Sequence, residues 1–152
     1  MTDIPCGCPG AQVRTVEKSA PAADEPTGRV ASELRQWPTQ LHLVPPFAPW
    51  LQNADLLIAA DCTAFAYGEF HRDFIKGRAL VNACPKLDDT SNYVDKLTAI
   101  LQQNDIKSVT VPIMEVPCCR GLAMMAQQAV AASGKDVDLE IAIIGVDGSR
   151  RA

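Results

Sequence analysis

Apolar runs of strand length alternate with amphipathic segments along most of the chain. From residue 54 onwards the runs are "ADLLIAADCTAF", "RALVNACP", "KSVTVPIMEV" and "LEIAIIGVDG", and their continuous apolar character is typical of strands covered on both faces. Between them, "DDTSNYVDKLTAILQQND" and "GLAMMAQQAVAASGK" place apolar residues at helical spacing, and "GEFHRDFIKG" predicts a shorter helix. This alternation predicts a single-domain α/β fold: a mostly parallel sheet with flanking helices, in a flavodoxin-like or Rossmann-like three-layer arrangement.

The first thirty or so residues lack this periodicity. "VEKSAPAADEPTGRV" is rich in Ala, Pro, Glu and Asp, which is typical of a linker or an extended arm. The next segment, "SELRQWPTQLHLVPPFAPWL", predicts a short strand at "QLHLV" and a turn at "PPFAPW". The predicted organisation is a flexible, cysteine-containing arm over residues 1–30 and an α/β domain over residues 31–152.

Composition and charge narrow the classes of function. The 152 residues are 47% hydrophobic and 21% charged, with a net charge of −4, which is ordinary for a folded domain. The sequence shows no basic patch for nucleic acid, no signal peptide, and no apolar run of the ~20 residues that span a bilayer. We therefore expect a cytoplasmic protein that binds neither nucleic acid nor membrane. In a reducing compartment, six cysteines indicate metal or redox chemistry rather than structural disulfides.

Four of the six cysteines follow the predicted strands. Cys62 lies near the end of the first strand, Cys84 ends the second, and the adjacent pair Cys118 and Cys119 ends the third. The C-terminal ends of parallel strands meet at one edge of a sheet, where open α/β folds bind their ligands. We therefore expect the four thiols to converge, because a strand-to-helix turn lets two neighbouring side chains face one centre.

Four converging thiolates suit either an iron–sulfur cluster or zinc. Pro85 follows Cys84 as a proline follows the last cysteine of ferredoxin-type runs, and the paired C-x₂₋₄-C knuckles of structural zinc are missing. The sequence thus predicts a [4Fe–4S] cluster bound by Cys62, Cys84, Cys118 and Cys119, with zinc as the alternative. The simpler interpretation is that each thiol is a small buried hydrophobic group.

The remaining candidate residues are less specific. Cys6 and Cys8 lie in "CGCPG", which predicts a tight turn, and the sequence leaves open whether they bind the same centre, hold a second metal, form a redox disulfide or belong to a disordered relic. The two histidines, His42 and His71, are expected at the surface or in packing. The loop after Cys84 predicts a solvated start of the next helix, and its charged residues are Lys86, Asp88 and Asp89. No glycine-rich phosphate-binding motif and no nucleophile elbow is present.

Several of these segments resemble one family of proteins. They include "CGCPG", "SELRQWPTQLHLVPP", "ADLLIAADCTAFAY", "ACPKLDDTSNYVDKLTAI" and "MEVPCCRGL". Over nearly its whole length the chain resembles an uncharacterised family from anaerobic bacteria and archaea, described as ferredoxin-like or iron–sulfur cluster-binding proteins. The resemblance implies iron–sulfur binding and names no substrate. Many of its members also carry an N-terminal module with two ferredoxin-type four-cysteine runs, which this sequence lacks.

Three classes of function follow from these observations. The first is a redox protein that passes single electrons to a partner such as a ferredoxin or an oxidoreductase subunit, as a monomer or a homodimer. The second is a redox enzyme that uses an open cluster site or the vicinal thiols Cys118 and Cys119 on a small substrate. The third is a zinc-binding structural or interaction domain. The sequence does not decide between an enzyme and a protein without catalysis, and the region of Trp37 and Trp50 is a candidate partner surface.

Overall fold

A parallel sheet organises the chain. The structure, a computed structural model, describes residues 12–15, 17 and 28–152. Two short strands come first and pair antiparallel, β1 (Arg14–Thr15) and β2 (Gln36–Trp37). The four strands of the parallel sheet are β3 (Asp55–Ala60), β4 (Arg78–Ala83), β5 (Ser108–Met114) and β6 (Asp138–Ile144). Their order across the sheet is β4-β3-β5-β6.

Helices lie on both faces of this sheet. They are α1 (Thr63–Ala66), α2 (Tyr93–Gln103) and α3 (Arg120–Ser133), with a π-helical turn at His71–Ile75 and 3₁₀ turns at Pro49–Leu51 and Pro117–Cys119. Helices α2 and α3 pack against each other. The connection from β3 to β4 runs across the sheet in one direction and the later connections run in the other. Right-handed crossovers therefore place α1 on the face opposite α2 and α3. The predicted α/β fold is confirmed.

Burial follows the apolar pattern of the sequence. Strand β3 is buried from Leu56 to Ala60 and β5 from Val109 to Met114, because both are central strands covered on two sides. Helix α3 ends at Gly134, whose φ of 70° is a left-handed conformation that glycine adopts without strain. In the part of the chain that the structure describes, no helix is long and apolar enough to cross a bilayer.

The ladder of paired residues is shortest between β3 and β5. The connections between strands also change direction at this position. The β3–β4 ladder continues to the pair Ala60–Ala83, whereas the β3–β5 ladder ends at Leu57–Thr110. The β5–β6 ladder, by contrast, continues through Pro112 to the pair Met114–Ile144. The position between β3 and β5, where the connections change direction, is the switch point of the sheet. Open α/β sheets bind their ligands at this point, at the C-terminal ends of the strands.

The outer edge of β4 is covered by a side chain and an irregular segment. Gln36 is buried, and its amide donates to the Leu80 carbonyl oxygen at 2.6 Å and accepts the Leu80 N–H at 3.4 Å. Farther along, the Asn82 N–H donates to the Thr39 carbonyl oxygen at 2.9 Å, and the Leu41 N–H donates to the Asn82 carbonyl oxygen at 3.0 Å. Gln36 thus takes the place of a neighbouring strand at the middle of β4.

The strand predicted at "QLHLV" is wrong. Only Gln40 forms a bridge to β4, and the residues after it form a turn. The N–H groups of Leu43 and Val44 both donate to the Gln40 carbonyl oxygen, at 2.8 and 3.0 Å. These local hydrogen bonds replace the ladder that an extended segment would form.

Candidate functional site

The strand-end cysteines lie at the C-terminal edge of the sheet, on both sides of the switch point. Cys62 comes two residues after β3, and Cys84 follows β4 directly. Cys118 and Cys119 lie in the 3₁₀ turn between β5 and α3, so a short turn indeed separates the strand from the helix. Cys6 and Cys8 lie outside the described residues.

The structure brings Cys119 close to the thiols of Cys118 and Cys62. Cys119 is buried, whereas Cys62 and Cys118 are exposed. Burial raises the pKa of the Cys119 thiol, a hydrogen bond with the Met114 backbone opposes this rise, and the Cys118 and Cys62 thiols add to it.

Cys84 and Cys62 follow two paired strands at the same level of the sheet. The Asp61 N–H donates to the Ala83 carbonyl oxygen at 3.1 Å, which extends the contact between the two strands by one residue. Asp61 precedes Cys62, and Ala83 precedes Cys84. Because neighbouring strands lie ~4.8 Å apart, the backbones that carry these two cysteines leave the sheet side by side.

A close approach between Pro85 and Gly121 ties the Cys84 loop to α3. A Cβ atom added at Gly121 would lie 3.3 Å from the Cβ atom of Pro85, which is tighter than an ordinary contact. Gly121 lies in the first turn of α3, two residues after Cys119. The absence of a side chain at this position allows the loop after β4 to reach the turn that carries Cys118 and Cys119.

Asp88 fixes the loop that carries Cys84. Its Oδ2 atom accepts the Cys84 N–H at 3.0 Å and the Tyr93 hydroxyl at 2.6 Å, and its own N–H donates to the Cys84 carbonyl oxygen at 3.0 Å. The sequence interpretation of Lys86, Asp88 and Asp89 as a solvated helix start missed this role of Asp88. The available signal was an aspartate four residues after a cysteine, a spacing at which a side chain can bond the backbone of its own loop.

We expect the Asp88–Tyr93 contact to make stability depend on pH in the alkaline range. Burial, followed by the hydrogen bond to Asp88, raises the pKa of Tyr93 well above its usual value. Because the folded state holds the phenol neutral, this contribution is complete below the unfolded pKa of ~10 and is lost as the pH rises above it. Urea denaturation at several pH values should show a steeper alkaline loss of unfolding free energy in the wild type than in Tyr93→Phe. Equal slopes in the two proteins would contradict this assignment.

The histidines make packing contacts, as expected from the sequence. His71 accepts the Glu33 N–H on its Nδ1 atom at 3.1 Å. The ring of His42 packs edge-on against Tyr93, with 5.2 Å between the ring centroids. The candidate ligands at this edge of the sheet are therefore thiols.

Possible metal ligands are not grouped around one point in the described part of the chain. Within residues 12–15, 17 and 28–152, no three His, Cys, Asp or Glu side chains are grouped so that they could hold one metal ion. In an iron–sulfur cluster each thiolate binds a different iron, so the ligands need not surround one point. Such a cluster takes four thiolates, and four thiols follow three neighbouring strands at this edge of the sheet.

Comparison with known proteins agrees with the observed fold. A family model described as a Rossmann-like domain matches residues 48–150, a range that contains the parallel sheet and all four strand-end cysteines. A protein of Archaeoglobus fulgidus, described as uncharacterized, is 35% identical over 117 residues, which are 77% of this chain and 82% of that protein. No solved structure matches the chain. The chain belongs to the Rossmann-like domain family.

Proposed function

We propose that this protein is a cytoplasmic iron–sulfur protein that transfers single electrons. One [4Fe–4S] cluster would be bound by Cys62, Cys84, Cys118 and Cys119. The observation that carries the proposal is the position of these four cysteines, which follow three neighbouring strands at the C-terminal edge of the sheet, on both sides of the switch point. The resemblance of the cysteine-containing segments to iron–sulfur proteins supports the same function.

The protein's own residues would set the properties of this centre. A bound cluster would supply reversible one-electron chemistry. Cys119 is buried, so its thiolate would be stabilised by the metal rather than by water, and the proton is released when the metal binds. Cys62 and Cys118 are exposed, so they would mark the side from which electrons leave. Asp88 holds the backbone of Cys84 in place through its hydrogen bond to the Cys84 N–H.

A dithiol redox enzyme is the second candidate. The Cys118 thiol lies close enough to Cys119 to raise its pKa, and Cys62 adds to this effect. Two of these thiols could pass between a dithiol and a disulfide while a thiol or disulfide substrate is oxidised or reduced in exchange. A disulfide within the vicinal pair closes a strained ring and would be reduced easily.

Anaerobic purification with iron and acid-labile sulfide analysis separates these functions. We expect about four irons and about four sulfides per chain, and an absorbance near ~400 nm that dithionite bleaches. One zinc per chain would support a zinc domain instead, since zinc has no redox chemistry. A metal-free protein whose free thiols fall by two on oxidation would favour the dithiol enzyme. Either result would overturn the electron-transfer proposal.

A further inference from the structure

Asp88 places a negative charge next to the backbone of one proposed cluster ligand. Its Oδ2 atom accepts the Cys84 N–H at 3.0 Å and the Tyr93 hydroxyl at 2.6 Å. An ionised carboxylate only accepts hydrogen bonds, so it can accept from both groups without carrying a proton of its own. Both donors are neutral, so these contacts hold the carboxylate in place and leave its charge unchanged.

The charge of Asp88 is not paired with a cation. In the part of the chain that the structure describes, no Lys, Arg or His side chain forms an ion pair with Asp88. Lys86 lies in the same loop, but its side chain is exposed to water. Asp88 is half-buried, and a partly buried charge is screened less than an exposed one. The carboxylate therefore acts electrostatically on Cys84, whose sulfur is separated from the bonded nitrogen only by Cα and Cβ.

The same hydrogen bond occupies the N–H group of Cys84. In iron–sulfur proteins, N–H groups near the ligating cysteines can donate to the sulfurs, and such hydrogen bonds tune the reduction potential. A donor to sulfur stabilises the reduced centre, because that centre carries one more negative charge. The Cys84 N–H donates to Asp88 instead, so it is not available to a sulfur. The charge of Asp88 and the occupied N–H thus act in the same direction.

We propose that Asp88 lowers the reduction potential of the iron–sulfur centre that Cys84 helps to bind. Asp88 would act through Cys84 as a positioning residue and would not itself bind iron. Its charge raises the energy of the reduced centre more than that of the oxidised centre, because the reduced centre has gained an electron. This inference rests on the proposed function and assigns the control of its potential to a residue outside the ligand set.

Asp89 provides a comparison within the same loop. Its carboxylate accepts the Ser91 N–H at 3.1 Å, so it is bound to the segment before α2. Its side chain is exposed, and water screens its charge more strongly than that of Asp88. Removal of the charge of Asp89 should therefore change the potential less than removal of the charge of Asp88.

A redox titration of the anaerobically purified protein, followed by the absorbance near ~400 nm, tests this proposal. Asp88→Asn removes the charge and keeps an oxygen atom that can accept the Cys84 N–H. We expect a higher potential, so that the ratio of reduced to oxidised centres at the wild-type midpoint rises by about threefold or more. The matched control, Asp89→Asn, should change this ratio by less than about twofold. An unchanged ratio in Asp88→Asn, or equal changes in both variants, would overturn the proposal.

Asp88→Ala is a second test, because it removes the charge and also frees the Cys84 N–H. Its potential should be at least as high as that of Asp88→Asn. Iron analysis of every variant separates the possible failures. Loss of iron from both Asp88 variants, but not from Asp89→Asn, would show that Asp88 retains the centre and would overturn its control of the potential. A wild type without a cluster would overturn the proposed function as well, whereas normal iron with an unchanged potential would overturn only this inference.

Discussion

Replacement of both Cys118 and Cys119 by serine is expected to remove the iron from the protein. Iron should fall from about four atoms per chain to less than about one, because two of the four proposed ligands lose their thiolates. Serine oxygen is a hard ligand that stays protonated near neutral pH, whereas iron–sulfur clusters select soft thiolates. Iron and sulfide analysis after anaerobic purification, together with the absorbance near ~400 nm, measures the loss.

The Cys6→Ser/Cys8→Ser variant is the matched control, because it makes the same chemical change at two other cysteines. With the proposed ligand set, this variant keeps the iron content and the absorbance of the wild type. Circular dichroism should show that both double variants remain folded. Wild-type iron in the Cys118→Ser/Cys119→Ser variant would show that this ligand set is wrong.

Leu57→Ala is expected to lower the free energy of unfolding by about 2–5 kcal/mol. Leu57 has an exposed fraction of 0% and is the last β3 residue in the ladder to β5. Its truncation leaves a cavity between a face of the sheet and the elements packed on it, and close packing prevents this cavity from collapsing. Urea denaturation followed by circular dichroism gives the value, provided that both proteins unfold in two states.

Leu87→Ala provides the control for the same chemical change at the surface. Leu87 is 83% exposed, so its truncation should change the free energy of unfolding by less than about 0.5 kcal/mol. Similar losses in Leu57→Ala and Leu87→Ala would mean that the two side chains do not differ in burial as described.

The sequence predicted the parallel strands because two-sided burial leaves a simple pattern. A central strand such as β5 has no solvent-facing side, so its residues form a continuous apolar run. The strand predicted at "QLHLV" is wrong because the prediction also relied on a short apolar run, and such a run fits a turn as well as a strand. Only the tertiary structure shows that the Gln40 carbonyl oxygen accepts the N–H groups of Leu43 and Val44.

The placement of the cysteines at one edge was predictable, but their individual surroundings were not. Cys118 and Cys119 are neighbours in one 3₁₀ turn, yet Cys118 is exposed and Cys119 is buried. The contact of Pro85 with Gly121 joins residues far apart in sequence, and no local pattern indicates it. The exposure of apolar residues such as Phe65 could not be predicted from the sequence either, because apolar character alone assigns a residue to the core.

Gln36 also has a consequence for the behaviour of the protein in a crowded solution. Unpaired backbone groups at the outer strand of a sheet are templates on which strands of other molecules can add, and this is a common route to aggregation. The Gln36 amide occupies both backbone groups of Leu80, so an incoming strand finds no free donor or acceptor there. The Gln36 side chain and the backbone of residues 39–41 together thus protect the outer edge of β4 against the addition of a strand from another molecule.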